Sequence, residues 1–462
     1  MPRCLHTPLF ALTLSALLWS SACTTTSARK DPIVPPAQAS TPPRQLPPEA
    51  EVVEDETQKI VAQAQTSAQQ VAASVAAFSA QLAQPLPAQV TTEAVGDRRS
   101  VLLSILESKR RASDEIVLTA VGDVSQPTKQ WPAQTNALKT RAFAPTQHLI
   151  DSGDLVSMNL ENPVSDKTPK AKKQFSFTSA PERLGWYMDV GFNLFSLANN
   201  HIADANQEGI DDTIMHLKQK SKARNTTVYW AGAAQTRAEA EEAQFIKLPN
   251  KDTTIAFFST GFSKGANVSK FWSQDLIPKI KAADARADIV VVSVHAGKEY
   301  QHIPEKNLVE LYRKWVDAGA DLVIGHHPHV IRPVELYKGA VIMHSLGNFV
   351  FASRTRRYKK SKAKMYGLFA RVILKDARVQ GVELTPLWVN NSAAWVIGKQ
   401  RMDNANFTPM PLKGPFADAF FEDMNTWTQA AGLTLPTRVG DRAVYIVPKE
   451  ELRPKTTPVP ES

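Results

Sequence analysis

Residues 288–300, DIVVVSVHAGKEY, and residues 321–330, DLVIGHHPHV, follow one pattern: an acidic residue, a run of mostly β-branched aliphatics, then histidine where the run stops. Such runs are too short for typical helices and too apolar for strands with one wet face, so each predicts a strand buried on both sides. The same texture recurs in EIVLTAVG (115–122), DLVSMNL (154–160), FNLFSLA (192–198), TTIAFFS (253–259) and AVIMHSLG (340–347). Residues 206–221 and 305–318 between them predict helices. Strands alternating with helices imply a layered α/β domain with a mostly parallel sheet. GLFARVILKD (367–376) and RVQGVELTPLWV (378–389) predict an antiparallel closing pair, and FADAFFEDMNTWTQAAG (416–432) an amphipathic helix.

The 462 residues include 31 prolines and only two cysteines, Cys4 and Cys23. Arg3, the apolar run from Leu9 to Trp19 and the small residues before Cys23 read as a secretory signal over 1–23, too short for a permanent span. Small residues followed by Cys also resemble a bacterial lipobox, which makes Cys23 the expected lipidation site; ordinary cleavage near Ala22 is the other reading. Residues 24–112 read as a linker, polar and Pro-rich at first, then Ala/Gln-rich as a stalk helix. The α/β domain occupies 113–395, and 396–462 form a C-terminal extension. The folded part therefore has neither disulfide nor thiol chemistry, and any metal must be held by oxygen and imidazole ligands, which suit Mn, Fe, Zn or Mg.

Ligands of open α/β sheets collect outside the carboxyl ends of the strands. Here those exits carry Asp123; Asn159 and Glu161; Asn199, Asn200 and His201; His295; and His326, His327 and His329. One such residue is ordinarily a loop cap; five exits bearing metal-ligand residue types point to a metal site. His148, His216 and His302 lack this context and are assigned to structure or surface.

The motifs GD (122–123), NLE (159–161), LANNHIAD (197–204), HAGKEY (295–300), GHHPHV (325–330) and SLGNFVF (345–351) resemble, in order and spacing, the poly-gamma-glutamate capsule synthesis (CapA) family over about 113–395. That family is similar to the calcineurin-like metallophosphoesterases, which implies a sandwich of layered sheets flanked by helices around a centre of two divalent ions. The resemblance implies Asp123, Glu161, Asn200, His295, His327 and His329 as ligands, with His326 competing with His327. It also implies His201 as an acid or transition-state stabiliser. Asp204 either orients His201 or caps a helix. Glu299, Tyr300, Asn348 and Arg354, in or beside the later motifs, are the substrate-binding candidates.

Three departures stand out. Val124 and Ser125 follow Asp123 where the phosphoesterases have Asp-x-His; Asn206 stands where a Gly is usual, which Asn tolerates at positive φ; and Ala296 replaces a common Trp, which is expected to remove a wall from the site.

The net charge of +9 is concentrated in Lys167, Lys170, Lys172 and Lys173 and in a basic run starting at Arg354. If these flank the cleft, they enrich an anionic ligand locally. No nucleic-acid module is recognisable. Three functions follow: an exported, envelope-anchored hydrolase of an anionic polymer, working with capsule-synthesis proteins; a phosphoesterase acting on an envelope phosphoester; or a non-catalytic binding or export component.

Overall fold

The computed structural model describes residues 115–126, 142–167, 172–173, 175–351, 366–389, 395–402, 408–448 and 451. Cys23, the linker expected over 24–112 and the basic run from Arg354 lie outside the described residues.

Strands β1 (Ile116–Ser125), β2 (Leu155–Leu160), β3 (Leu194–Ser196) and β4 (Tyr229–Ala231) run parallel in a first sheet. The chain then builds a second sheet from β5 (Gln244–Lys247), β6 (Thr254–Gly261), β7 (Ile289–His295), β8 (Leu322–His326), β9 (Ile331–Tyr337) and β10 (Ala340–Leu346). Its order is β5-β6-β7-β8-β10-β9, parallel in the middle and antiparallel at both edges. It returns to the first sheet with β11 (Asn348–Phe351), parallel to β1, and with β12 (Tyr366–Lys375) and β13 (Arg378–Trp388), the expected antiparallel pair. After the small hairpin β14 (Trp395–Ile397) and β15 (Gln400–Met402), the strands β16 (Met410–Pro411), β17 (Thr437–Val439) and β18 (Arg442–Ile446) extend the first sheet to ten strands.

Two sheets packed face to face thus replace the single sheet expected from strand pattern alone, in agreement with the sandwich implied by the family resemblance. Strand β7 shows why the pattern could not separate the two. Its side chains alternate, so Ile289 and Val291 enter the core between the sheets while Val290, Val292 and Val294 pack outward. The outward set meets helices Leu276–Asp284 and Lys306–Ala318 through Ile280, Leu308, Tyr312 and Trp315. On the far side, Met158, Leu160 and Phe195 pack against helices Glu182–Asp189 and Asn206–Arg224. Each strand side chain so buried contributes roughly 1.5–3 kcal/mol. Asn206, which opens the second of those helices, adopts φ 59°, so the turn survives without Gly.

Polar contacts tie the sheets beneath the strand exits. Ser293 Oγ donates to Ser196 Oγ at 2.9 Å, Ser196 and Ser259 hydroxyls lie 2.8 Å apart, and Ala198 N–H donates to Ser259 Oγ at 3.0 Å. The extension past 395 adds helix Pro415–Ala430, whose Phe416, Phe420 and Phe421 enter the inter-sheet core. Trp427 of that helix stacks on His302 at 3.6 Å between ring centroids, and His302 Nδ1 lies 2.9 Å from Ile331 O, which gives His302 a structural role.

At the centre, Gly122 lets β1 pass against the turn between β10 and β11. A Cβ there would lie 2.1 Å from Gly347 O, and Gly347 itself has φ +70°. That approach allows Asp123 N–H to donate to Gly347 O at 2.9 Å and sets Asp123 opposite Asn348. Gly122→Ala must move backbone to fit, so it is expected to destabilise the fold by about 2–4 kcal/mol. Denaturant unfolding measures this, and a change under about 0.5 kcal/mol would contradict the close approach.

Candidate metal centre

The strand registers bring the candidate residues together. In the first sheet Asp123 pairs across to Asn159 on one side and Asn348 on the other; in the second, His295 lies opposite His326. Both rows face the same carboxyl-end crevice, and Glu161, Asn200, His327 and His329 come into it from the following loops. His327 and His329 have φ of 95° and 57°, positive values that turn consecutive rings of the GHHPHV loop in different directions. Such backbone is tolerated where surroundings enforce it, commonly at functional sites.

Two groups of donor atoms result. Glu161, His295 and His327 offer atoms within 4.8 Å of one another, and so do Asp123, Glu161 and His329. Glu161 belongs to both. Asn200 Oδ1 and His327 Nδ1 also converge on His295 Nε2, at 2.8 and 3.0 Å, with Glu161 Oε1 at 3.7 Å. A single ring nitrogen, with one proton or one lone pair to offer, cannot satisfy all three of these atoms.

Glu161 is the sharper test. It is fully buried, and neither carboxylate oxygen has a hydrogen-bond partner among the described residues. Buried polar groups are nearly always paired, and an unpaired carboxylate costs several kcal/mol unless it is protonated or binds a cation. These buried His, Asp and Glu groups can therefore hold a metal.

Charge within the cluster agrees. Burial, reinforced by Asp123, pushes the Glu161 carboxyl well above its usual range. Burial raises Asp123 too, but His326 and His329 outweigh it and hold that group well below. His295 is held well below the usual histidine value by burial and then by His327, and His327 is lowered to about 3 by burial and His329. Neutral rings suit ligation. His329 differs: burial lowers it, yet Glu161 and Asp123 raise it to about 10, so a proton sits where positive charge is required.

The adjacent histidines separate clearly. His327 joins Glu161 and His295, whereas His326 lies behind, its Nδ1 3.4 Å from Asp123 Oδ1 and neither ring nitrogen hydrogen-bonded. Ser125, at the position of the missing histidine, donates to Asn162 Oδ1 at 2.9 Å. Ala296 packs into the outer core, not the crevice, so its small size does not open the site as expected.

His201 Nδ1 lies 2.8 Å from Asp204 Oδ2, and Phe177 N–H donates to that same oxygen at 2.7 Å. Helix Asn206–Arg224 starts without a side-chain cap, so Asp204 orients His201 and is not its cap. Lys173 Nζ completes the group, 2.6 Å from Asp204 Oδ1 and 2.6 Å from Asn200 O. Sequence reading saw Lys173 only as part of a charge run and missed Phe177, whose ring packs 4.8 Å from His201. Asn159 and Asn199, noted only as strand-exit residues, brace the site. Asn159 Nδ2 donates to Asp123 Oδ1 at 2.8 Å and lies 3.1 Å from His295 Nδ1; Asn199 Oδ1 accepts from His201 and Ile202 N–H.

Of the substrate-binding candidates, Asn348 Oδ1 lies 3.0 Å from His329 Nδ1, the Tyr300 ring is 6.2 Å from that of His329, and Glu299 raises both Glu161 and His329 by its charge. Arg354 lies outside the described residues.

Two face-to-face sheets flanked by helices, with a His, Asn, Asp and Glu cluster where their strands end, define a layered α/β sandwich with a candidate metal centre. Residues 117–353 match the family described as bacterial capsule synthesis protein PGA_cap, and the chain belongs to that family. It is 31% identical over 270 residues to the PGA biosynthesis protein CapA of Bacillus subtilis, covering 56% of this chain and 68% of that protein. It is 30% identical over 275 residues to the capsule biosynthesis protein CapA of Bacillus anthracis, covering 56% of this chain and 66% of that protein. The chain thus spans about two thirds of the length of these relatives. A crystal structure of a phosphatase from Mycoplasma pneumoniae aligns with a TM-score of 0.38 at 12% identity, covering 59% of this chain and 93% of that one.

Binding of a divalent ion must expel the protons held on Glu161 and His329, whose folded values are both raised. Affinity is therefore expected to climb as pH rises from the acid side, with protons released as each ion binds. Calorimetric titration with Mn²⁺ in buffers of different ionisation enthalpy counts them. Glu161→Gln should weaken binding more than the roughly 10- to 100-fold typical of residues that only orient ligands. Affinity independent of pH would contradict the assignment.

Proposed function

We propose that this protein is an exported, envelope-anchored, metal-dependent hydrolase that acts on an anionic capsule polymer, poly-gamma-glutamate being the nominal case. The observation that carries the metal-dependent part is the buried, unpartnered Glu161 carboxylate standing between two sets of donors. The capsule part is supported by membership of the capsule synthesis family and by relatives named for PGA and capsule biosynthesis. Anchoring rests on the Cys23 signal pattern, and mass spectrometry of the mature N-terminus tests it; an unmodified Cys23 would remove it.

In this reading Asp123, Glu161, Asn200, His295, His327 and His329 would hold the divalent ions, with Glu161 common to both groups of donors. Bound ions would supply Lewis acidity and lower the pKa of water at the site. Asn200 offers a neutral carbonyl oxygen and so leaves the ions' charge uncancelled.

His201 handles the proton. An ionised Asp204 is only an acceptor, so the Nδ1–H of His201 donates to it and Nε2 keeps its lone pair. Burial, opposed by the Asp204 hydrogen bond, lowers the His201 value, which keeps the ring neutral at rest. Nε2 then takes the proton shed by the reacting water and passes it to the leaving atom. Asp204 supports the transient imidazolium, and Lys173 holds Asp204 in place through their 2.6 Å ion pair.

His201→Ala should lower kcat by about 10²–10⁴-fold with metal content unchanged. Release of shorter chains from γ-linked polyglutamate is the assay, run beside a chromogenic phosphoester. Turnover of the phosphoester alone would replace the polymer with an envelope phosphoester as substrate. No turnover of either by metal-loaded protein would indicate a binding or export role.

A further inference from the structure

Two cavities open beside the ligand cluster, and they share a wall. The first, of about 480 Å³, is lined by Lys172, Lys173, Lys264, Asn200 and Asn267 among others. The second, of about 540 Å³, is lined by Phe271, Lys298, Asn307, Leu308 and His327 among others. Phe262 lines both. Asn200 and His327, one from each cavity, are the residues that converge on His295 Nε2 at 2.8 and 3.0 Å. The two cavities therefore meet at the candidate metal centre.

The junction is built, not incidental. Phe262 N–H donates to His295 O at 2.9 Å, which fixes the residue beside the cluster while its side chain stays 45% exposed. Trp272, 50% exposed, stands next to it with ring centroids 5.9 Å apart. Lys172, Lys264 and Lys298 are exposed on the cavity rims. The one carboxylate lining the second cavity, Glu305, is neutralised by Arg332 at 2.8 Å. Asp204 in the first is offset by Lys173. Both arms thus present positive charge with an exposed aromatic between them.

We propose that the two cavities are the arms of one cleft that binds a linear anionic chain across the metal centre, with chain units seated on both sides of the linkage at the cluster. A site selective for chain ends needs one blocked side, whereas among the described residues charged, open space lies on each. Internal linkages are consequently the ones presented to His201 and the metal ligands. This rests on the polyanion reading above and adds the way the chain is held.

Anisotropy titrations with end-labelled γ-linked oligoglutamates, from the dimer upward, test it on the full chain. Affinity should rise with length until both arms are filled and then level off. Lys264→Ala and Lys298→Ala should each weaken the longest oligomer by about 5-fold, the loss of one partly exposed ionic contact. Lys338→Ala, in the turn at the opposite end of β10, should change nothing. Affinity that stops rising at the dimer, or equal losses for all three lysines, would overturn the two-armed cleft and leave the polyanion reading standing. No binding at any length would remove both.

Discussion

A carboxylate can be sealed from water only if something takes the place of its hydration, and that requirement organises this protein around Glu161. The side chain is completely buried, and no donor among the described residues hydrogen-bonds to either oxygen. Two ring nitrogens approach it, His295 Nε2 and His329 Nε2, both 3.7 Å from Oε1. Packing alone offers no return for such an arrangement, since an apolar residue of similar size would cost nothing in desolvation. A divalent cation satisfies both oxygens at once.

The remainder of the fold can be understood as what holds the two sheets' strand ends at that distance. Hydroxyls of Ser196, Ser259 and Ser293 bridge the sheets below the crevice, and the glycines at 122 and 347 let β1 come close enough for Asp123 to lie beside Asn348. Behind the ligands stands a layer of amides, with Asn159 linking Asp123 to His295 and Asn199 holding the backbone of His201. Next to the ligands, Lys173, Asp204 and Phe177 set the tautomer and tilt of His201. Asp123 and His295 are thus mounted on strands, while Glu161, Asn200, His327 and His329 reach the crevice from the loops that follow.

Much of this is legible in one dimension, for identifiable reasons. The candidate ligand residues fall at strand exits because parallel strands all deliver their carboxyl ends to one side, so Asp123, Glu161, Asn200, His295 and His329 are marked by position as well as by type. The antiparallel pair β12 and β13 and the helix Pro415–Ala430 were readable from alternation and periodicity. The number of sheets was not. A strand covered on both faces looks the same whether helices cover both sides or one side meets another sheet, and Val290 and Val291 carry no mark of which neighbour each will have.

The sequence by itself determined the strand order along the chain, the ligand types and the absence of thiol chemistry, because these are local properties of residues and runs. Tertiary structure alone sets His327 beside Glu161 and His295, and His326 beside Asp123, with the positive φ of His327 turning its ring away from that of its neighbour. It likewise decided that Ala296 belongs to the outer core and that Lys173 belongs to His201. In each case the outcome depends on which side of a strand or loop meets a partner many residues away, and no local pattern encodes that meeting.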